Sequence, residues 1–298
     1  MIGISKLYCG TVEPSDVLRY GRRSGDLPSN LLQFSQDKRP VVVWNITRAC
    51  NLKCVHCYAG AVDRGHPNEL SHDQALEVLD DLAGFGVPVV LFSGGEPLLR
   101  SDLVTLARYA VGKGMRAVIS TNGTLITPEK AEALKDVGLS YVGVSLDGME
   151  AVNDRFRGRK GAFRDALAGI RNCQDVGLKV GLRFTINRMN AQEIPQVFSL
   201  LEEYEIPRVC FYHLVYAGRG SELMEEDLSH QQTRHAVDLI MDRTRDLHER
   251  GFSKEVLTVD NHADGPYLYL HMLKERNPRA KDVLHLLRMN EGNSSGRG

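Results

Sequence analysis

From residue 41 onward, short apolar runs alternate with longer stretches of mixed polarity. Val41-Val42-Val43-Trp44, Val89-Val90-Leu91-Phe92, Ala117-Val118-Ile119 and Tyr141-Val142-Gly143-Val144 read as buried strands, and Val180–Ile186 and Val209–Tyr212 complete six. Helical stretches of roughly ten to fifteen residues lie between them, the alternation that builds a parallel sheet. Ser71-His72-Asp73-Gln74 has the form of a capping box, and Thr127-Pro128-Glu129 joins an N-cap to a first-turn proline. Gly86, Gly114, Gly138 and Gly177 each fall a few residues before a strand, where a left-handed helix stop belongs. Six βα units are too few for a closed eight-fold barrel. The pattern predicts an α/β fold, a partial (β/α)6 TIM-type barrel, with its chemistry at the C-terminal ends of the strands.

The flanks break this rhythm. Residues 1–40 read as a polar N-terminal extension with Pro14, Gly21, Gly25 and Pro28 and no sustained period. After Gly220, His230–Glu249 reads as a long surface helix, with shorter helices at 266–276 and 279–289 split by Asn277-Pro278. No further strand is expected there, and Asn293–Gly298 is flexible in composition. The expected organisation is an extension over 1–40, a barrel over 41–220 and a helical C-terminal segment over 221–298.

Composition narrows the function. Among 298 residues, Lys+Arg (37) nearly balance Asp+Glu (38), so no global charge favours nucleic acid or an anionic membrane. No apolar run approaches a membrane span, and the N-terminus lacks a signal peptide's basic start and apolar stretch, which predicts a soluble, cytoplasmic protein. Of the six cysteines, Cys50, Cys54 and Cys57 are clustered while Cys9, Cys173 and Cys210 are scattered. Clustered thiols outside a small secreted domain point to metal rather than to disulfides. Cys173 and Cys210 read as core residues.

Cys50-x3-Cys54-x2-Cys57 directly follows the first strand. Three thiolates fit three irons of a [4Fe–4S] cubane and leave the fourth open to an outside chelator, such as the amino and carboxylate groups of S-adenosylmethionine (SAM). The alternative is zinc completed by His56 or His66, although no second CxxC-like half is present. Ser93-Gly94-Gly95-Glu96-Pro97 ends the second strand; its glycines let backbone approach a ligand, and Glu96 offers a carboxylate to an ammonium. Ser120-Thr121-Asn122-Gly123 and Ser145-Leu146-Asp147-Gly148 end the third and fourth strands. Ser120, Asn122, Ser145 and Asp147 suit ribose hydroxyls and a carboxylate, or else helix caps and Asx-turns. Arg155, Arg157, Arg159 and Lys160 form a basic run in the following loop, where Arg157 is the candidate carboxylate clamp and a solvated loop the plainer reading. Arg183, Thr185 and Asn187 share one strand face by alternation; Arg183 there suits an anionic ligand or a structural ion pair. His213 and His262 could meet a substrate metal or donate a proton, or be structural.

The segments CNLKCVHCY, FSGGEPLL, STNGTLI and VSLDG, in this order on consecutive βα units, resemble the radical SAM superfamily. MIGISKLYCG, VVVWNITRACNLKCVHCYA, FYHLVYAGRGS and TVDNHADGPY narrow the resemblance to its tetrapyrrole-modifying, haem-biosynthesis group. The resemblance implies a [4Fe–4S] cluster on Cys50, Cys54 and Cys57 and SAM as cofactors. It places His56 near adenine, Gly94, Gly95 and Glu96 at the methionine amino group, and Ser145 and Arg157 near its carboxylate. The implied reaction, through a 5′-deoxyadenosyl radical, removes acetate side chains from 12,18-didecarboxysirohaem to give iron-coproporphyrin III. Related reactions are propionate removal towards haem d1, decarboxylation of iron-coproporphyrin to haem, and peptide maturation. The implied partners are an iron tetrapyrrole substrate, whose carboxylates Arg155, Arg159, Arg183, Arg188 and Arg219 would suit, and a low-potential electron donor, with no nucleic acid and no membrane. The group also carries a C-terminal segment whose cysteines hold a second cluster, expected to lie outside these 298 residues.

Overall fold

The computed structural model describes residues 1–11, 40–289 and 292. Among the described residues there are eight strands: β1 (Ile2–Gly3), β2 (Val42–Asn45), β3 (Val89–Ser93), β4 (Arg116–Thr121), β5 (Tyr141–Ser145), β6 (Val180–Ile186), β7 (Arg208–His213) and β8 (Glu255–Val259). Their order in the sheet is β1-β8-β7-β6-β5-β4-β3-β2. Pairing is parallel from β2 through β6 and between β7 and β8, and antiparallel between β1 and β8. The expected α/β architecture is therefore present, with every described strand pair parallel except that of β1.

The intervening helices are α1 (His72–Phe85), α2 (Leu103–Gly112), α3 (Pro128–Asp136), α4 (Glu150–Arg157), α5 (Ala162–Asp175), α6 (Ile194–Glu203), α7 (His230–Glu249), α8 (Asp264–Lys274) and α9 (Ala280–Met289). Local sequence explains their ends. The Ser71 hydroxyl accepts from Gln74 N while the Gln74 side chain accepts from Ser71 N, so the capping box forms. Thr127 caps α3 by accepting from Lys130 N, with Pro128 in the first turn. Gly86 stops α1 at φ +82°, a conformation that costs a residue with a Cβ about 1–2 kcal/mol.

Backbone contacts divide the chain into two compact units. One comprises Arg39–Phe184 and Val215–Glu225; the other comprises Met1–Lys38, Thr185–Leu214 and Glu226–Gly298. In the first, the strand register sets Asn45 opposite Ser93, and Ser145 opposite Arg183, so the motif-bearing strand ends lie beside one another. Its core includes Val90, Phe92, Ala117, Ile119, Val142 and Val144.

Three expectations are corrected. First, β8 falls in the stretch read as purely helical: Val256 and Leu257 are buried, and Cys210 pairs with Leu257. Its run Glu-Val-Leu-Thr-Val is β-branched, but Glu255 and Thr258 interrupt it, so it does not stand out as an apolar segment. Second, the start of the chain is not a polar lead-in. Ile2, Ile4, Leu7 and Tyr8 are buried, Ile2 pairs with Thr258, and Ser5–Cys9 form one π-helical turn. Third, Arg155 and Arg157 lie in the last turn of α4 rather than in a loop. Pro14, Gly21, Gly25, Pro28 and Asn293–Gly298 lie outside the described residues. Among the described residues no helix is long and apolar enough to cross a membrane.

Candidate active site

The loop after β2 is held by backbone on two sides and by side chains on two more. Gly95 N donates to Thr47 O and Glu96 N to Ala49 O, both at 2.7 Å. A Cβ on Gly94 would stand 2.4 Å from Thr47 O, and one on Gly95 2.2 Å from Ala49 O. The two glycines therefore let the turn after β3 pack directly against Thr47–Ala49. The last turn of α4 offers its orphan carbonyls to the same loop: Lys53 N donates to Arg157 O (3.1 Å) and Val55 N to Phe156 O (2.9 Å). Glu69 closes another edge, its Oε1 accepting from Arg48 N, His66 N and Thr47 Oγ1. Arg219 closes the last: its Nε donates to Cys54 O and its Nη1 to Ala61 O, both at 2.8 Å, while its backbone N donates to Cys57 O.

This clamping gathers Cys50, Cys54 and Cys57 around Leu52, Ala61 and Ala162 in one apolar cluster. Each sulfur accepts an N–H. Leu52 N reaches Cys50 Sγ (3.4 Å), with Asn122 Nδ2 at 3.9 Å; Arg157 Nη1 reaches Cys54 Sγ (3.5 Å); Ala61 N reaches Cys57 Sγ (3.4 Å). Burial, with like charge from Cys54, Glu96 and Cys57, pushes the Cys50 thiol up to about 11. A bound cation is what deprotonates such a thiol. Among the described residues no three His, Cys, Asp or Glu side chains converge as ligands of a single ion, and His66 is exposed in a cavity of about 260 Å³ between Trp44 and Arg100. A cubane instead takes each thiolate on a different iron, and N–H donors on every sulfur suit it. The donor set fits the cluster.

Beside the sulfurs lies a buried charge network. Asp147, fully buried, pairs with Arg157 Nη2 at 2.5 Å and with His56 Nε2 at 3.2 Å. Burial works against the Arg157 charge, but Asp147 and Cys54 more than offset it and hold its pKa above the usual value. Burial pushes the His56 imidazole below its usual value despite Asp147, and its ring packs on Phe156 with centroids 5.6 Å apart. His56 Nδ1, Arg157 Nε and Arg219 Nη2 are buried without a hydrogen-bond partner.

Glu96 is wholly buried and accepts from Leu98 N (3.0 Å), Thr121 Oγ1 (2.8 Å) and Asn122 N (2.8 Å). Burial raises its pKa against those bonds. Three donors leave about one of a carboxylate's four acceptor sites for an ammonium. Asn122 Oδ1 accepts from Thr124 N, the Asx-turn alternative, while its Nδ2 donates to Asn51 Oδ1. Ser120 sits on β4 opposite Gly143, and Ser145 on β5 opposite Arg183, whose stem lies over Gly143.

The remaining candidates lie in the other unit or are occupied. Asn187 is buried in its own turn, accepting from Met189 N and donating to Thr185 O. His213 Nε2 meets Asp264 Oδ2 at 2.8 Å, and Asn261 holds the other oxygen of that carboxylate. His262, read as its companion, is exposed. Of the arginines assigned to a carboxylate-rich substrate, Arg159 pairs with Asp165, Arg188 donates to Asp227 O, and Arg219 is committed to the cysteine loop. Asp264 and Asn51 drew no notice in the sequence because their roles appear only through partners distant in the chain.

Comparison with known proteins adds to this geometry. A model of the Radical SAM superfamily matches residues 44–201. The "Fe-coproporphyrin III synthase" of Methanosarcina barkeri is 68% identical over 298 residues, covering 100% of this chain and 75% of that protein. The "Pre-heme d1 synthase" of Dinoroseobacter shibae is 45% identical over 264 residues, 87% of this chain and 65% of that one. Among solved structures, Streptococcus suis SuiB bound to precursor peptide SuiA aligns with a TM-score of 0.66 at 19% identity, covering 87% of this chain and 57% of SuiB.

Proposed function

The chain belongs to the radical SAM superfamily, whose members use a [4Fe–4S] cluster and SAM, and from that premise we propose that it acts in alternative haem biosynthesis, removing acetate side chains from 12,18-didecarboxysirohaem to give iron-coproporphyrin III. The observation that carries this reading is the 68% identity, sustained over all 298 residues, to a protein named for synthesis of that product.

Cys50, Cys54 and Cys57 hold the cluster. The cluster and SAM, when bound, supply a carbon radical able to take hydrogen from an unactivated C–H bond. The chain's residues do the rest. Leu52 N, Ala61 N and Arg157 donate to the sulfurs, and Arg219 and the Gly94-Gly95 turn keep the loop in one conformation. Glu96 keeps an acceptor site for the methionine ammonium while tying the turn after β3 to the end of β4. Gly94, Gly95, Ser120, Asn122, Ser145, Asp147, His56, Arg157 and Asn187 are the further SAM candidates, and His213, His262 and Arg183 the substrate candidates. An electron donor of low potential would reduce the cluster, and a reducing, cytoplasmic compartment would keep the described cysteines as thiols.

Anaerobic incubation of the reconstituted protein with 12,18-didecarboxysirohaem, SAM and reductant, followed by mass spectrometry of the tetrapyrrole, tests the reading. The expected product has lost two acetate arms and kept its propionates. Loss of propionates, vinyl formation or an unaltered macrocycle would refute it.

A further inference from the structure

The buried network beside the cysteines has a consequence beyond holding the loop. Arg157 has 8% side-chain exposure and Asp147 none, so both charges lie out of water. The guanidinium is fixed at both ends: Nη2 on Asp147 at 2.5 Å, Nη1 on Cys54 Sγ at 3.5 Å. The donors described for Cys50 and Cys57 are neutral amides. Cys54 thus differs from the other two in receiving a charged donor, and Asp147 is the counter-charge that moderates it. Hydrogen bonds to the sulfurs and nearby charge set the potential of an iron–sulfur centre. A reduced cubane carries one more negative charge than an oxidised one, so a fixed cation favours the reduced form and a fixed anion opposes it.

We propose that Arg157, held between Asp147 and Cys54, is a positioning residue that sets the reduction potential of the cluster on the cysteine loop, with Asp147 as the opposing charge. This rests on the cluster assignment made above. The step concerned is one electron passing from an external low-potential reductant to the oxidised cluster, with no bond made or broken.

The test is a potentiometric titration of the reconstituted full-length protein without SAM, following the electron paramagnetic resonance signal of the reduced cluster. Arg157→Gln should lower the reduced-to-oxidised ratio at fixed potential about tenfold, a midpoint about 59 mV more negative for one electron. Asp147→Asn should shift the ratio the other way. Structural damage alone would not move two neighbouring variants in opposite directions. If Arg157→Gln does not retain iron, Arg157→Lys replaces it; its single ammonium lacks the fork that reaches both partners, and its ratio should also fall. Shifts of the same sign, or neither variant differing from wild type by twofold, overturn the proposal. Iron and sulfide content separates the two failures: a wild type without a cluster defeats the assignment, whereas a normal cluster with unmoved potentials defeats this inference alone.

Discussion

At the scale of single residues, close approach and burial govern the site. Gly95→Ala would drive a Cβ to 2.2 Å from Ala49 O and disrupt the bonds from Gly95 N and Glu96 N. Overpacking with two lost backbone bonds predicts about 3 kcal/mol less stability and a cluster released faster to a chelator, measured by denaturant titration and by iron release. Asp102 supplies a pH prediction. Hydrogen bonds from Arg100 and then His72, against burial, hold its carboxyl below the usual carboxylate value, while Arg100 also binds Ile46 O at the root of the cysteine loop. A depressed acid stabilises above its unfolded value, about 3.9, and that contribution disappears as pH falls through the folded one. Thermal melts between about pH 5 and 3 should therefore show a shallower acid loss in Asp102→Asn than in wild type. The glycines and Glu96 were legible in sequence as special positions. Spacing marks Gly94 and Gly95 as places where backbone comes close; only the fold shows that the approaching group is Thr47–Ala49. Arg219 was equally opaque, because its carbonyl partners lie 165 and 158 positions away.

At the scale of elements, the strands β2 to β7 and the caps at Ser71 and Thr127 were readable because each is encoded locally, by an apolar run or by a side chain three residues from its partner. Strand β8 was not. Its five residues gain strand structure from β7 on one side and from β1 on the other, a pairing between chain ends that no local window contains. Leu257 should report that dependence: Leu257→Ala removes a fully buried side chain and should cost about 3 kcal/mol by denaturant titration. A loss below about 0.5 kcal/mol would mean that β8 contributes little to the sheet. The C-terminal turn of α4 shows the same limit from the functional side. The basic run was visible, but its helical state, which gives the Phe156 and Arg157 carbonyls to the cysteine loop, depends on Lys53 and Val55 far upstream.

At the scale of the whole molecule, parallel pairing of β2 to β5 sets four motif-bearing strand ends side by side, and a loop clamped by backbone, by Arg219 and by Glu69 brings three thiols into one cluster. The cluster reading came from cysteine spacing, and the hydrogen bond on every sulfur supports it independently. We propose that Cys50, Cys54 and Cys57 hold a [4Fe–4S] cluster with which the protein cleaves SAM. The most direct measurement is 5′-deoxyadenosine released by anaerobically reconstituted protein given SAM and dithionite, compared with Cys54→Ala. Wild type should form the nucleoside and the variant should form none above the protein-free control. Equal release from both, or none from a wild type carrying its full iron and sulfide, would contradict the account.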